Sequence, residues 1–248
     1  MSRGLYIALS GGLAYERQLD IIANNVANVN TVGFKEDRPV FSTAQPDFAG
    51  IGKPPPEPGS AAALLAGTYA SVPESYTDFS EGRLQTTGNT LDVALKGEGF
   101  FVVGRDDQTL YTRAGAFHLG PDGKLVNVNG LPVMGEKGEI TIKSPNIRID
   151  EQGYISVDDE IVDRLQVVRV KKLSAMEKVG TTLFAVDDSY VERMDDAKVV
   201  QGSVEQSNAN PLRGMVELIT AQRNYESFNR VAQSVDGLDK QATTRIKI

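Results

Sequence analysis

The stretch "DIIANNVANVNTVGFK", residues 20–35, places four asparagines within seven positions at the end of a regular apolar pattern. Asparagine is a mediocre helix former that usually occupies caps and turns. An ordinary solvated helix face carries Lys and Glu instead. Neutral amides on outward positions suit a helix that is surrounded by other protein chains, where a charge would cost desolvation energy.

The apolar residues before and within this stretch recur at alternating spacings of three and four residues. Such a heptad pattern predicts one helix with a narrow apolar seam, and small residues in the seam allow another helix to approach closely. We expect the helix to end around residues 28–31, before Gly33, because Asn or Gly can take a left-handed conformation there. The N-terminal seam consists of Leu5, Ala8, Gly12, Tyr15, Leu19, Ile22, Val26 and Val29.

The C-terminal end of the chain repeats the pattern and predicts a helix from about residue 210 to 240. Ser207 or Asn208 is the expected N-cap, and Pro211 suits the first turn. An ordinary core face is the alternative interpretation of both seams. The C-terminal seam consists of Leu218, Ala221, Tyr225, Phe228, Ala232 and Val235, widened by Met215, Val231 and Leu238.

Between the helices the amino-acid composition and the spacing of apolar residues change twice. Residues 42–75 are rich in Pro, Gly, Ala and Ser, including "GKPPPEPGSAAA" at 52–63, which predicts an extended segment. From about residue 76 the apolar period is two, and Asn129-Gly130 signals a tight hairpin, so the middle is predicted to be antiparallel β. The predicted fold class is therefore α+β, with N- and C-terminal helices forming a coiled-coil-like domain around a central β-rich domain.

The predicted domain boundaries follow from these changes in composition and apolar spacing. Residues 1–33 form the N-terminal helix of an inner domain, residues 34–75 an extended arm, residues 76–204 the β-rich domain and residues 205–248 the C-terminal helix.

The chain of 248 residues has a formal net charge of −7, which lies in its middle. Residues 1–41 hold equal numbers of acidic and basic side chains, and residues 205–248 hold one more basic than acidic side chain. Near-neutral ends are expected to be contact surfaces. The acidic balance predicts no nucleic-acid partner. No segment approaches the roughly 20 apolar residues of a membrane span, and the first apolar run is too brief for a signal peptide, so we expect neither membrane insertion nor a cleaved signal.

No residue pattern predicts catalysis. The chain lacks cysteine, and His118 is its one histidine. The carboxylates of Asp158, Asp159 and Glu160 are adjacent, which predicts a solvated hairpin turn in place of an acid–base pair. The glycines of "GEGFFVVG", residues 97–104, precede β-like sequence and lack the helix that a phosphate-binding loop needs. We therefore expect no catalytic, cofactor-binding or metal-binding residues and no cofactor.

Three stretches together resemble a known family. "LDIIANNVANVNTVGFK" (19–35) closely resembles the N-terminal signature of the bacterial flagellar axial proteins, the rod and hook family. "LDVALKGEGFFVV" (91–103) with "YTRAGAFHLGPDGKLVNVNGLPVMG" (111–135) resembles that family's β domain. "GSVEQSNANPLRGMVELITAQRNYESFNRV" (202–231) resembles its C-terminal signature.

Within the family, "SRGLYIALSG", "FKEDRPVF" and the chain length look most like the proximal-rod members. The distal-rod members are the runner-up, and the chain has no room for the extra domain of hook proteins. One departure is "LRG" at 212–214, where relatives tend to have acidic residues; Gly214 weakens the first turn by about 1 kcal/mol.

The resemblance implies a structural subunit that is not an enzyme. In this family the terminal helices form a coiled-coil inner domain that lines a channel, the β domain lies outside, and the flagellar type III apparatus exports the unfolded subunits. The implied partners are copies of the chain and other rod subunits, the implied location is the basal-body rod, and heterologous contacts build the helical assembly. The expected assembly interface is the two seams together with Asn24, Asn25, Asn28, Gly33 and Phe34.

Another function class stays open at this stage. A carbohydrate-binding or hydrolytic β domain with helical extensions would use Tyr111, Tyr154 and nearby carboxylates.

Overall fold

A computed structural model of the chain describes the backbone of residues 3–40, 43–44, 69–70, 74–105 and 108–245. The chain forms two compact units. The helical unit contains Met1–Val26, Asp37–Tyr76 and Pro211–Ile248, and the β unit contains Ala27–Glu36 and Thr77–Asn210. The predicted α+β class, with a β-rich middle and a helix near each end, is confirmed.

The helical unit holds both long helices. Helix α1 spans Arg3–Ala27, so it ends one residue before the predicted range. Helix α2 spans Pro211–Arg245, which starts close to the predicted residue 210 and continues beyond residue 240. The expected N-cap was wrong: since Pro211 is the first helical residue, neither Ser207 nor Asn208 stands directly before the helix. Among the described residues, no helix is long and apolar enough to cross a bilayer.

Side chains of α1 and α2 contact each other within this unit. The rings of Tyr15 and Phe228 lie 5.3 Å apart between centroids. A Cβ added at Gly11 would come within 2.7 Å of the Phe228 ring, whereas one added at Gly12 would meet no atom within 4 Å. Gly11 is therefore the small residue that admits the Phe228 ring within the single chain, whereas the predicted seam residue Gly12 has open space beside it.

Short strands complete the helical unit. Strand β1, Asp37–Val40, pairs with β4, Glu74–Thr77, and β2, Thr43–Ala44, pairs with β3, Tyr69–Ala70. Parts of the predicted arm at 42–75 are thus paired strands. The triple proline of that arm lies outside the described residues.

The β unit is built from antiparallel pairings. Its largest sheet has six strands, in the order β17 (Glu177–Val179), β18 (Leu183–Ala185), β8 (Gln108–Thr112), β7 (Phe100–Arg105), β16 (Val167–Val170) and β19 (Val191–Arg193). A three-stranded sheet contains β13 (Ile147–Ile149), β14 (Tyr154–Val157) and β15 (Glu160–Arg164).

Four further two-stranded pairings belong to the β unit. They are β5 (Leu84–Thr86) with β21 (Ser203–Glu205), β6 (Val93–Lys96) with β20 (Lys198–Gln201), β9 (His118–Leu119) with β10 (Leu125–Val126), and β11 (Met134–Gly135) with β12 (Gly138–Glu139). The pairing of β5 with β21 joins the start of the unit's second chain segment to its end.

Strand β7 has apolar side chains buried on both of its faces. Phe101 and Val103 belong to the larger core cluster, and Phe100 and Val102 belong to the smaller one. A strand buried on both faces reads as a continuous apolar run instead of an alternation. This burial explains the run of four apolar residues that follows Gly99.

Two predicted turns are confirmed. Asp158 and Asp159 have φ values of 52° and 66°, and they join β14 to β15 as a two-residue hairpin. Two consecutive residues with positive φ match the right-handed twist of such strands, and Asp tolerates this conformation. Gly130 has a φ of 76°, and its N–H donates to the carbonyl of Asn127. The carboxylate run is therefore part of a turn.

A pair of isoleucines in the three-stranded sheet tests the core assignment. Ile155 is 0% exposed, whereas Ile161 is 66% exposed. Ile155→Ala is expected to lower the free energy of unfolding by about 2–5 kcal/mol through lost burial and an unfilled cavity. Ile161→Ala, the matched control, should change it by less than about 1 kcal/mol. Denaturant unfolding followed by far-ultraviolet circular dichroism measures both, and equal losses would contradict the assigned core.

Candidate functional site

The N-terminal seam is packed over most of its described length. Ile22 is buried, and Tyr15, Leu19, Val26 and Val29 are half-buried. The side chains of Leu5 and Ala8 lie outside the described ones.

The C-terminal seam is packed more loosely. Ala221 is buried, and the described seam residues that are half-buried are Leu218, Tyr225, Phe228, Ala232 and Val235. Met215 and Val231 do not widen this packed face, because each is more than half exposed. The side chain of Leu238 lies outside the described ones.

A second apolar surface lies at the start of α2, and the sequence analysis missed it. We call it the apolar stripe; its members are Leu212, Met215, Val216 and Ile219, which are 51–75% exposed. Their i, i+3, i+4, i+7 spacing places them on one face of α2, roughly opposite Ala221 at about 100° per residue. The spacing is present in the sequence, but it covers only two turns, whereas the C-terminal seam continues along most of the helix.

The asparagines near the end of α1 differ in their surroundings. The amide of Asn25 accepts from the backbone N–H of Asp37 at 3.0 Å and donates to the carbonyl of Asp37 at 2.7 Å. Asn28 accepts a hydrogen bond from the Thr31 hydroxyl at 3.1 Å. Asn24 is exposed. Asn25 thus stabilises a backbone position of its own chain.

Gly33 and Phe34 are buried in the β unit. Gly33 has a φ of 70°, and a Cβ at this position would lie 2.2 Å from the backbone nitrogen of Ala114. Glycine is required for both reasons. The Phe34 ring is fully buried, and the Lys178 ammonium lies 4.3 Å from its centroid. These two residues hold the chain where it follows α1, and they present no exposed surface.

The next residue begins a buried ion cluster, which consists of Lys35, Arg113 and Glu205. The Lys35 and Glu205 side chains are each 1% exposed, and Lys35 Nζ donates to Glu205 Oε1 at 2.6 Å. Lys35 also donates to the carbonyl of Ser80 at 2.6 Å, and the N–H of Gly82 donates to Glu205 Oε1 at 2.9 Å. A buried carboxylate needs such partners, because leaving one unpaired costs several kcal/mol.

Arg113 supplies the second cation of the cluster. Its Nη1 lies 3.5 Å from Glu205 Oε2, its Nη2 donates to the carbonyl of Gly97 at 2.6 Å, and its guanidinium lies 5.6 Å from the centroid of Phe100. Burial lowers the pKa of the Lys35 ammonium below its usual 10.5; attraction and hydrogen bonding to Glu205 oppose this shift, and the charge of Arg113 adds to it. Two buried cations therefore share one carboxylate.

Backbone bonds extend the cluster into a connection between two chain segments. The incoming segment, residues 33–36, lies beside the outgoing segment, residues 203–208. The N–H of Gly33 donates to the carbonyl of Glu205 at 2.8 Å, and the N–H of Glu36 donates to Asn208 Oδ1 at 2.8 Å. Asn208 also donates to the carbonyl of Asp78 at 2.7 Å. These contacts use the Asn208 amide that was expected to cap α2.

The residues proposed for carbohydrate chemistry do not form a site. Tyr111 is 2% exposed inside the smaller core cluster, so it cannot contact a bound sugar. Tyr154 stacks under the Arg164 guanidinium at 4.9 Å. His118 is exposed on β9. Within the described part of the chain, no group of three or more His, Cys, Asp or Glu side chains is placed to hold a metal ion.

Comparison with known families matches three regions of the chain. Residues 5–35 match the family described as "Flagella basal body rod protein", and residues 94–157 match "Flagellar hook protein FlgE/F/G D1 domain". Residues 200–245 match "Flagellar basal body rod FlgEFG protein C-terminal".

Whole-chain relatives agree with these matches. The chain is 32% identical to the flagellar basal-body rod protein FlgF of Caulobacter vibrioides, over 99% of this chain and 98% of the relative. It is 31% identical to the flagellar basal-body rod protein FlgG of Bacillus subtilis, over 95% and 96% of the two chains. It is 30% identical to the FlgF protein of Mesorhizobium japonicum, over 92% and 90%.

The ion cluster predicts an asymmetry between two substitutions. Glu205→Gln leaves two buried cations without a counter-charge, so the free energy of unfolding should fall by about 3–5 kcal/mol. Lys35→Met leaves Glu205 with Arg113 and the Gly82 N–H, so the loss should be smaller, about 1–3 kcal/mol.

Denaturant unfolding of the full chain measures both losses. The control is Lys124→Met, which breaks an exposed ion pair with Glu139 and should change stability little. A Lys35→Met variant as unstable as Glu205→Gln would contradict the assigned role of Arg113.

Proposed function

Because this chain belongs to the flagellar basal-body rod protein family, we propose that it is a structural subunit of the proximal rod. It assembles with copies of itself and with other rod subunits into the axial tube that transmits torque. The observation that carries this proposal is the 32% identity to a FlgF protein over 99% of the chain. The chain is a structural component and not an enzyme.

The seams of α1 and α2 supply the contacts that such an assembly needs. The Tyr15–Phe228 contact and the close approach at Gly11 support pairing of the two helices into a coiled-coil-like inner domain. Several residues of the C-terminal seam remain half-buried in the single chain. Burying them against helices of neighbouring subunits would add roughly 25 cal/mol for each Å² of apolar surface removed from water.

The remaining expected interface residues take two roles. Asn24 and Asn28 contribute neutral amides to surfaces covered by other subunits, where a charge would be costly. Asn25, Gly33 and Phe34 act indirectly, because their contacts hold the connection that follows α1.

The domain boundaries fit the same role. Residues 1–33 and 205–248 contribute the inner domain, residues 34–75 the arm and residues 76–204 the outer β domain, although residues 27–33 and 205–210 pack in the β unit of the single chain. The flagellar type III apparatus exports the chain, and the assembled subunit lies in the part of the rod that spans the periplasm.

A distal-rod subunit is the second candidate, favoured by the 31% identity to a FlgG protein over 95% of the chain. Chemical crosslinking in isolated basal bodies separates the two positions, because a proximal and a distal subunit have different neighbours.

The seam proposal is tested by placing one charge at two adjacent positions of α2. Phe228 is half-buried against Tyr15, whereas Ser227 is exposed. Phe228→Asp should reduce incorporation into basal bodies by about tenfold or more, because burying a carboxylate in the seam costs at least the 1.4 kcal/mol that a factor of ten requires. Ser227→Asp, with the same charge and helix propensity, should incorporate normally.

Immunoblots of purified basal bodies, normalised to total cellular chain, measure incorporation. Equal incorporation of the two variants would refute the seam as an assembly contact. Absence of the unsubstituted chain from basal bodies would refute the proposed function itself.

A further inference from the structure

The β unit carries a groove without charged side chains. The groove has a volume of about 730 Å³, and its apolar lining includes Val32, Val128, Leu131, Val179 and Leu183. None of its lining residues is ionisable, although 24% of the chain is charged. Val128 at its edge is 60% exposed. We call this surface the neutral groove.

The four members of the apolar stripe on α2 carry no acidic side chain. Their side chains lie within eight residues, 212–219, over a length of roughly 10 Å at 1.5 Å per residue. On the same turns, Arg213 and Glu217 form an ion pair with each other at 2.7 Å. The four anchors carry no charge, and the next residue on their face is the exposed Arg223, four residues after Ile219.

We propose that the apolar stripe of one copy of this chain docks in the neutral groove of a second copy. Each copy has a net charge of −7, so two copies repel one another over most of their surfaces. A stripe and a groove that both lack charge are surfaces on which this repulsion is weakest. An amphipathic helix with anchors at i, i+3, i+4 and i+7 is a recurring ligand of apolar grooves.

The contact has the geometry that a rod needs. The stripe and the groove are different surfaces, so their pairing is heterologous and leaves a free stripe and a free groove for the next copies. This inference rests on the proposed function, and it adds which surface of one subunit meets which surface of the next.

The absence of cysteine from the chain makes disulfide trapping a direct test. Val216→Cys and Thr181→Cys are introduced into separate copies that are produced together in the source bacterium in place of the natural chain. Val216 lies in the stripe, and Thr181 is an exposed residue of the groove lining. After mild oxidation of isolated basal bodies, a disulfide-linked dimer should form when both variants are present and not with either variant alone.

Ile161→Cys paired with Val216→Cys is the matched control, because Ile161 is exposed and lies outside the groove lining. This pair should give less than about a tenth of the dimer. A second pair, Ile219→Cys with Val128→Cys, repeats the test if either first variant fails to incorporate.

Three outcomes would overturn the proposal. The first is absence of the mixed dimer while both variants are incorporated, and the second is a dimer formed by Val216→Cys alone. The third is a disulfide from Val216→Cys to a protein of different mass, which would assign the stripe to another rod subunit. If the unsubstituted chain is absent from basal bodies, the proposed function fails, and this inference fails with it.

Discussion

The buried carboxylate of Glu205 is the constraint on which the β unit depends. It compensates Lys35 and Arg113, which lie far from it in the sequence, and it accepts a hydrogen bond from the N–H of Gly82. A charge without water can be accommodated only while its partners stay in place. The cluster therefore fixes the incoming segment beside the outgoing segment within the β unit.

The two units differ in how completely they bury their apolar surface. The β unit closes its own core, with β7 buried on both faces and the buried Lys35 paired with Glu205. The helical unit leaves apolar surface uncovered, most clearly in the apolar stripe of α2. Helices gain most of their stability from packing an apolar face. A chain with one self-sufficient unit and one that exposes apolar helix surface suits a subunit whose folding is completed by its neighbours.

Patterns local in sequence predicted much of the fold. Alternating apolar residues predicted the strands, and short turn sequences predicted the turns at Asn129-Gly130 and Asp158-Asp159. Each of these signals depends on only a few neighbouring residues. The ion cluster could not, because Lys35 and Glu205 are separated by 170 positions and an isolated Lys or Glu usually indicates solvated surface. Gly11 was missed for a different reason: adjacent glycines fit a heptad equally well, and only the position of the Phe228 ring distinguishes them.

Hydrogen exchange in the full-length chain tests most directly whether the contacts between the incoming and outgoing segments belong to the cooperative core of the β unit. The N–H groups of Gly33, Glu36 and Gly82 lie outside regular strands, yet each donates to the outgoing segment. They should exchange as slowly as the paired amides of β7, because opening them requires unfolding of the β unit. Exchange at the rate of an unstructured peptide, with β7 still protected, would show that the connection opens independently and would contradict the account.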